Sequence, residues 1–243
     1  MTTEAKFPEA NAVCEGGDLD CGSGLLLIIR QAMEPLPAGG VLEVRSREVS
    51  VKEDLPAWCR LVGHTLLAVG PADTEGQRYF IRKKAADETF RSDLEHARVH
   101  AWLVRVRSTG DMRSQAFVRN HTFTLGQPAS FDTQDAAPSA LEYLLAALGG
   151  CLVAGFRWRA SRLGIAIQNL EVSLRAHAEN ILVFLGIEES GHAGLRGVEG
   201  SLYVEADAED DTLQSVWEET QLRCPVTQSL VHQVPVQITM KRA

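Results

Sequence analysis

The chain is poor in the signatures that announce a function. It contains no G-x-G-x-x-G, no Walker-type phosphate loop, no H-E-x-x-H and no paired C-x-x-C. Dinucleotide binding, P-loop chemistry, zinc proteolysis and dithiol exchange of the C-x-x-C kind therefore have no motif to stand on, and no cofactor is expected. Basic residues are outnumbered, 24 against 32 acidic, for a net charge of -8. That balance removes any general attraction to nucleic acid or anionic lipid, so neither is an expected partner. The leading MTTEAKFPEANAV is acidic and polar rather than basic and then apolar, so no secretion signal is expected. The apolar run LLAALGGCLVAGF at 144–156 is followed by Arg157 and Arg159, is too short to cross a bilayer, and reads as a buried helix. His96 and His100 have metal-compatible spacing, but nothing near them completes a site, and no metal is expected. There is no internal repeat and no low-complexity tract. What remains is a chain of 243 residues, 45% hydrophobic, able to bury a core in one or two domains. A cytoplasmic location follows, and there five cysteines are thiols or redox centres rather than a disulfide scaffold.

The chain has two rhythms. Over residues 11–84, CGSGLLLIIRQAM gives a helix stopped by Pro35, and PAGGVLEVRSR a turn and a strand. SVKEDLPAWCRLVGH gives a second helix, with Asp54 as its cap, Pro56 in its first turn and Gly63 just past its end. TLLAVGPADTEGQRYFIRK closes this half as a hairpin. Two helices on three or four strands make a two-layer α/β sandwich. Residues 85–99 are charged and read as a linker, helical in part. From His100 to Ala243 the pattern changes. HAWLVRVRS and MRSQAFVRNHTFTLGQ alternate as strands turning at Asn120. A long helix starts at Ser139, whose spacing to Glu142 is that of a capping box, and ends at Gly164. EVSLRAHAEN and GVEGSLYVEAD are strands, DTLQSVWEETQLR is a helix capped by Asp211, CPVTQSLVHQ is a short helix opening on Pro225, and VPVQITM is a closing strand. The fold class is α+β.

The cysteines divide by surroundings. Cys151 lies deep in the long helix between Leu148 and Leu152, where desolvation raises a thiol pKa and the helix dipole is remote. Alone it is packing; with a cation nearby it is chemistry. Gly149 and Gly150 beside it serve either substrate approach or close helix packing. Cys224 precedes Pro225 at a helix start, where peptide N–H groups favour a thiolate. Cys21 is followed by Gly22, Ser23 and Gly24, whose N–H groups could hold an anionic sulfur. Cys59, beside Trp58, reads as core, and Cys14 sits in a leading segment with no assigned role.

Three stretches of the second half, APSALEYLLAALGGCL at 137–152, LGI at 163–165 and RCPVTQSL at 223–230, resemble the OsmC/Ohr family of osmotically inducible and organic hydroperoxide resistance proteins. The resemblance implies an OsmC-like α/β domain that pairs with a second copy as an intertwined homodimer, its sites at the dimer interface. It also implies a thiol peroxidase. Cys151 would attack a small organic hydroperoxide and become a sulfenic acid, Cys224 would resolve it as a disulfide, and an external dithiol would restore both. The apolar neighbourhood suits an alkyl hydroperoxide. The family's peroxidases use an arginine to lower the thiol pKa and a glutamate to orient that arginine. Arg113 is the first candidate, Arg119 the second, and the alternative for each is a solvated charge. The family's glutamate position is Leu141 here. Glu142 stands nine residues before Cys151, on the opposite side of a straight helix at about 100° per residue, and capping accounts for it too. In the first half, DLDCGSGLLLIIR at 18–30 and EDLPAWCRLVGH at 53–64 resemble the TusA-like sulfur-carrier domain, with Gly22 and Gly24 in place of both prolines of its C-P-x-P pattern. The alternative function is then a non-peroxidatic persulfide carrier or small-ligand-binding protein that uses Cys21.

Overall fold

A computed structural model describes residues 7–72, 75–84, 95–127, 137–232 and 234–242. The chain divides into two units, Met1–Ala101 with Ala160–Ile165, and Trp102–Arg159 with Ala166–Ala243. Most of the expected linker, residues 85–94, lies outside the described residues, and residues 95–98 form a helical turn.

The first unit runs β1 (Ala12–Gly17), a kinked turn (Cys21–Leu25), α1 (Leu26–Met33), β2 (Val41–Ser46), α2 (Val51–Val62), β3 (Thr65–Pro71) and β4 (Gln77–Arg82). Its sheet has the order β1-β2-β4-β3, parallel only between β1 and β2. Alternation on β2 and β4 sends Leu42, Val44, Tyr79 and Ile81 to one face. Leu25, Ile29 and Met33, four apart, and Val51, Leu55 and Cys59 meet them from the helices. Each fully buried Leu or Ile contributes about 1.5–3 kcal/mol. Two expectations change here. Cys14 lies on β1, opposite Val44, and is buried in this core rather than in an unassigned leader. The second helix begins at Val51, capped at Ser50, so Asp54 is inside its first turn rather than its cap, and Pro56 is interior. Gly63 takes φ 84 just past the last turn, as a C′ glycine does.

The second unit opens with an antiparallel meander of β5 (Arg105–Gly110), β6 (Arg113–Val118) and β7 (His121–Leu125). Helix α3 (Ala140–Arg162) follows, then β8 (Ile167–Ala178), the single turn α4 (Ile181–Phe184), β9 (Leu195–Ala206), α5 (Asp210–Arg223) and α6 (Pro225–Val231). β8 and β9 form one long antiparallel hairpin. Leu174 of β8 and Val198 of β9 pack against the buried cluster of Leu148, Leu152 and Cys224, and Trp217 of α5 packs against the same cluster. Helix α5 starts at Asp210 after Glu209, so Asp211 lies in its first turn instead of capping it.

Three features depart from the sequence pattern. Residues 100–104 precede β5 outside any strand, and 234–242 form no strand, because neither joins a sheet edge within the described residues. Both segments hold apolar residues in solvent, consecutive in the first and alternating in the second: Trp102 is 86% exposed and Ile238 88%. Helix α3, at 23 residues, is longer than the apolar run within it, and by length and composition it could cross a bilayer. Only 22% of its most apolar stretch is buried within the chain.

Candidate functional site

The fold brings Cys151 and Cys224 together. Cys151 sits midway along α3, and Cys224 at the joint between α5 and α6, where an extended residue (φ -76, ψ 115) and Pro225 break one helix and begin the next. Their Sγ atoms are 3.0 Å apart, and both are free thiols. A disulfide needs about 2.05 Å, so bond formation asks for a movement of about an ångström. The α5–α6 break also aims the Thr227 N–H at Cys224 Sγ, at 3.4 Å. Gly149 is where α3 approaches β8: a β-carbon there would stand 3.2 Å from Val172 Cγ1. Gly150 has open space instead. Close packing thus accounts for the first glycine and not for the second.

The sulfurs differ electrostatically. Burial pushes the Cys151 thiol up, and the hydrogen bond and charge of Cys224 push the same way. The Val226 N–H and the Arg159 charge only partly oppose them, so Cys151 stays protonated past the ordinary thiol range. Burial also acts upward on Cys224, which is 3% exposed. There, the nearby Thr227 hydroxyl, the Cys151 thiol and the Thr227 and Val226 N–H groups outweigh it, and the net direction is down. The Thr227 hydroxyl is buried and reaches hydrogen-bond geometry with no partner among the described residues. The cation that acts on Cys151 is Arg159, whose Nη1 donates to the Gly155 carbonyl at 2.9 Å while its Nε is buried without a partner among the described residues.

Arg113 is exposed beside the β5–β6 turn, where Asp111 and Met112 have positive φ, and Arg119 forms the next turn with φ 51. Neither is among the groups that set the Cys151 titration. Glu142 closes a capping box: the Ser139 N–H donates to its Oε2 at 2.6 Å. A cavity of about 640 Å³ is walled by Leu148, Leu152, Leu174, Val198 and Trp217, and Arg196, Glu199, Gln221 and Thr227 also line it. Arg159 and Thr227 went unread in the sequence. The signal for Thr227 was there, since position N3 supplies the N–H that bonds a capping side chain.

The surroundings of Cys21 differ from the expectation. The Ser23 N–H donates to Asp20 Oδ1 at 2.6 Å and the Leu25 N–H to the Asp20 carbonyl at 3.3 Å, so two of the peptide groups in this turn serve Asp20 instead of the sulfur. Gly24 has φ 113, which no proline reaches. Burial, then Asp54 and Asp20, push the Cys21 thiol up to about 11. Cys59, 1% exposed, is core as expected, and burial pushes it up to about 12.

The description "Sulfurtransferase TusA" matches residues 24–83. The sulfur carrier protein TusA of Pseudomonas savastanoi pv. phaseolicola is 36% identical over 74 residues, which are 30% of this chain and 86% of that protein. The chain belongs to the TusA family. Its TusA domain is followed by an OsmC-like domain, matched as "OsmC-like protein" at residues 133–239, which include Cys151 and Cys224. The TusA match begins three residues after Cys21, and the OsmC match begins after β5–β7 and Arg113. Among solved structures, an OsmC-like protein from Mycoplasma pneumoniae is 18% identical with a TM-score of 0.48, over 56% of this chain and 90% of that one. An organic hydroperoxide resistance protein from Legionella pneumophila, described as a predicted redox protein, is 10% identical with a TM-score of 0.41, over 54% and 90%. A TusA domain and a domain of the OsmC/Ohr redox family thus stand in one chain, in that order.

Proposed function

We propose that the OsmC-like domain is a dithiol peroxidase that reduces organic hydroperoxides through Cys151 and Cys224. The observation that carries this reading is the 3.0 Å between their sulfurs. One thiolate attacks the terminal peroxide oxygen, the O–O bond breaks, an alcohol leaves, and the sulfur is oxidised to a sulfenic acid. The second thiol displaces that oxygen as water and forms the disulfide, which an external dithiol reduces again. The apolar walls of the neighbouring cavity favour an alkyl-bearing peroxide over hydrated hydrogen peroxide. In the order that the family resemblance implies, Cys151 attacks first and Cys224 resolves.

The working unit is a homodimer built through the OsmC-like domain. An apolar helix with 22% of its most apolar stretch buried, and two apolar segments in solvent, are surfaces that a second copy would cover. A thiol pair recycled by an external dithiol suits a reducing compartment, the cytoplasm. The test is stoichiometric. One equivalent of cumene hydroperoxide added to the reduced protein removes two thiols within minutes and leaves a Cys151–Cys224 linked peptide. No loss of thiols rejects the reading.

A second reading has its own support in the TusA domain: Cys21 as a persulfide carrier. A raised thiol pKa beside Asp20 and Asp54 weighs against it at neutral pH. A stable mass gain of one sulfur atom on Cys21, after exposure to a cysteine desulfurase and cysteine, would establish it.

A further inference from the structure

Cys151, Gly155 and Arg159 stand four residues apart on α3, so successive turns carry them down one stripe of the helix. A long helical side chain leans toward the N-terminus of its helix, and Arg159 does so: its Nη1 donates to the Gly155 carbonyl at 2.9 Å. The fold-back carries the guanidinium about one turn, or 5.4 Å along the axis, toward Cys151. Gly155 makes room for it. A β-carbon there would stand 3.1 Å from Arg159 Nη1 and 3.3 Å from Thr220 Cγ2 of α5. Thr220 is fully buried, and its hydroxyl donates to the Val216 carbonyl at 2.7 Å, which ties the side chain to its own helix. Residue 155 is thus a notch between a guanidinium and a fixed methyl group.

The place is a poor one for a mere surface charge. Arg159 Nε is buried without a hydrogen-bond partner among the described residues, and the side chain joins no ion pair among them. An arginine serving solubility would snorkel and keep its donors in water. The other groups around the thiol supply no net positive charge. Cys224, at 3.0 Å, is itself a thiol. Arg196 and Glu199 of β9, opposite in sign, line the cavity with Leu148 and Leu152. Arg223 of α5 is ion-paired with Glu219 at 2.8 Å on an exposed face, and Arg157 of α3 is exposed.

We infer that Arg159 is the charge partner of the Cys151 sulfur and that Gly155 is the positioning residue that keeps the guanidinium within its reach. This deepens the dithiol reading above and rests on it. When the Cys151 proton leaves for solvent, the anion meets a cation that has no carboxylate to answer it among the described residues, in surroundings where charges are weakly screened. That the Arg159 charge opposes the upward push of burial on Cys151 agrees with this. Because all three residues belong to one helix, the pairing is complete in a single protomer.

The experiment alkylates full-length reduced protein with iodoacetamide across pH 6–11 and quantifies the Cys151 peptide by mass spectrometry. Arg159→Gln is expected to raise the Cys151 midpoint by about half a pH unit or more, and to slow the consumption of cumene hydroperoxide at pH 7 about threefold. Arg159→Lys keeps the charge and should fall between; a midpoint no lower than that of Arg159→Gln overturns charge as the cause. Gly155→Ala brings in a better helix former, so the unfolding midpoint should hold while the displaced guanidinium lets the Cys151 midpoint rise. A shift in Arg159→Gln without one in Gly155→Ala removes Gly155 from its role. Cys151 midpoints unmoved in both variants overturn the inference, and so does an equal shift in Arg157→Gln, which would report net charge alone. Thiol loss on adding cumene hydroperoxide is followed in parallel. A wild type that loses no thiols overturns the dithiol reading, while the midpoints still judge the charge pairing. Two thiols lost with unmoved midpoints overturns the pairing and leaves the dithiol reading standing.

Discussion

Ser139 and Glu142 hold each other at the start of α3: the Ser139 N–H donates to Glu142 Oε2 at 2.6 Å, and the Glu142 N–H donates to Ser139 Oγ at 3.2 Å. The carboxylate that the family resemblance offers to catalysis is thus already engaged in fixing the helix that carries Cys151. Ser139→Ala is expected to cost about 1 kcal/mol of stability. Glu142→Gln keeps an acceptor and a cap, and should leave the rate of peroxide reduction within twofold. A tenfold loss with an unchanged unfolding midpoint would assign the carboxylate to chemistry instead. The Ser139 hydrogen bonds hold the Glu142 carboxyl below the ordinary carboxylate range. Its contribution is therefore present above that range and fades as pH falls through the lowered value, an acid-side loss that Glu142→Gln would not show.

The TusA domain should weaken in alkali. Burial pushes Cys14 and Cys21 up to about 11 and Cys59 up to about 12, from an ordinary value of 9.0. A raised folded pKa means the unfolded chain releases these protons first. The contribution is complete below pH 9 and is lost as pH rises toward 11 and 12. Denaturant midpoints between pH 8 and pH 11 should fall steadily, and Cys59→Ala, less stable at pH 8, should show a shallower fall. Equal slopes would mean Cys59 ionises freely in the folded protein.

Restoring the family's proline at position 24 should fail. Gly24 has φ 113 in the turn that follows Cys21, and proline holds φ near -65°. Gly24→Pro must rebuild the turn and is expected to lower the unfolding midpoint, and Gly24→Ala to cost about 1–3 kcal/mol of stability. An unchanged midpoint for the proline variant would show that this turn already adopts the sulfur-carrier form. The result bears on function, because the N–H groups at Ser23 and Leu25, now bonded to Asp20, would have to turn toward the sulfur.

These residues also show where the sequence was legible. The meeting of Cys151 and Cys224 was implied by the family resemblance alone and is written in no local pattern, whereas the two domains and their order could be read because they rest on recognisable stretches such as APSALEYLLAALGGCL, RCPVTQSL and EDLPAWCRLVGH. β1 could not, since Ala12–Gly17 reads AVCEGG and becomes a strand only by pairing with β2. The start of α2 was misplaced because Pro56 favours a first turn, whereas the core contacts of Val51 and Leu55 extend the helix backward. The hold on Cys224 depends on a bend between two helices, which residue spacing alone does not give. Arg159 is the opposite case: it stands on the same helix as Cys151, and its distance along that helix follows from the spacing.

The same limit applies at the chain's last described segment. Val234, Val236, Ile238 and Met240 alternate as a strand does and all lie in solvent. A strand of this kind is stable only against an edge, and no edge within this chain receives it among the described residues. If a second copy supplies that edge, Ile238→Asp puts a charge into a buried sheet and should shift the protein from dimer to monomer at micromolar concentration, read by light scattering. Val234→Asp should act in the same direction, while Gln237→Glu, on the opposite face of the strand, should change little. A dimer that survives both aspartates would leave the segment outside the interface, and a wild type that runs as a monomer would remove the second copy from the account altogether.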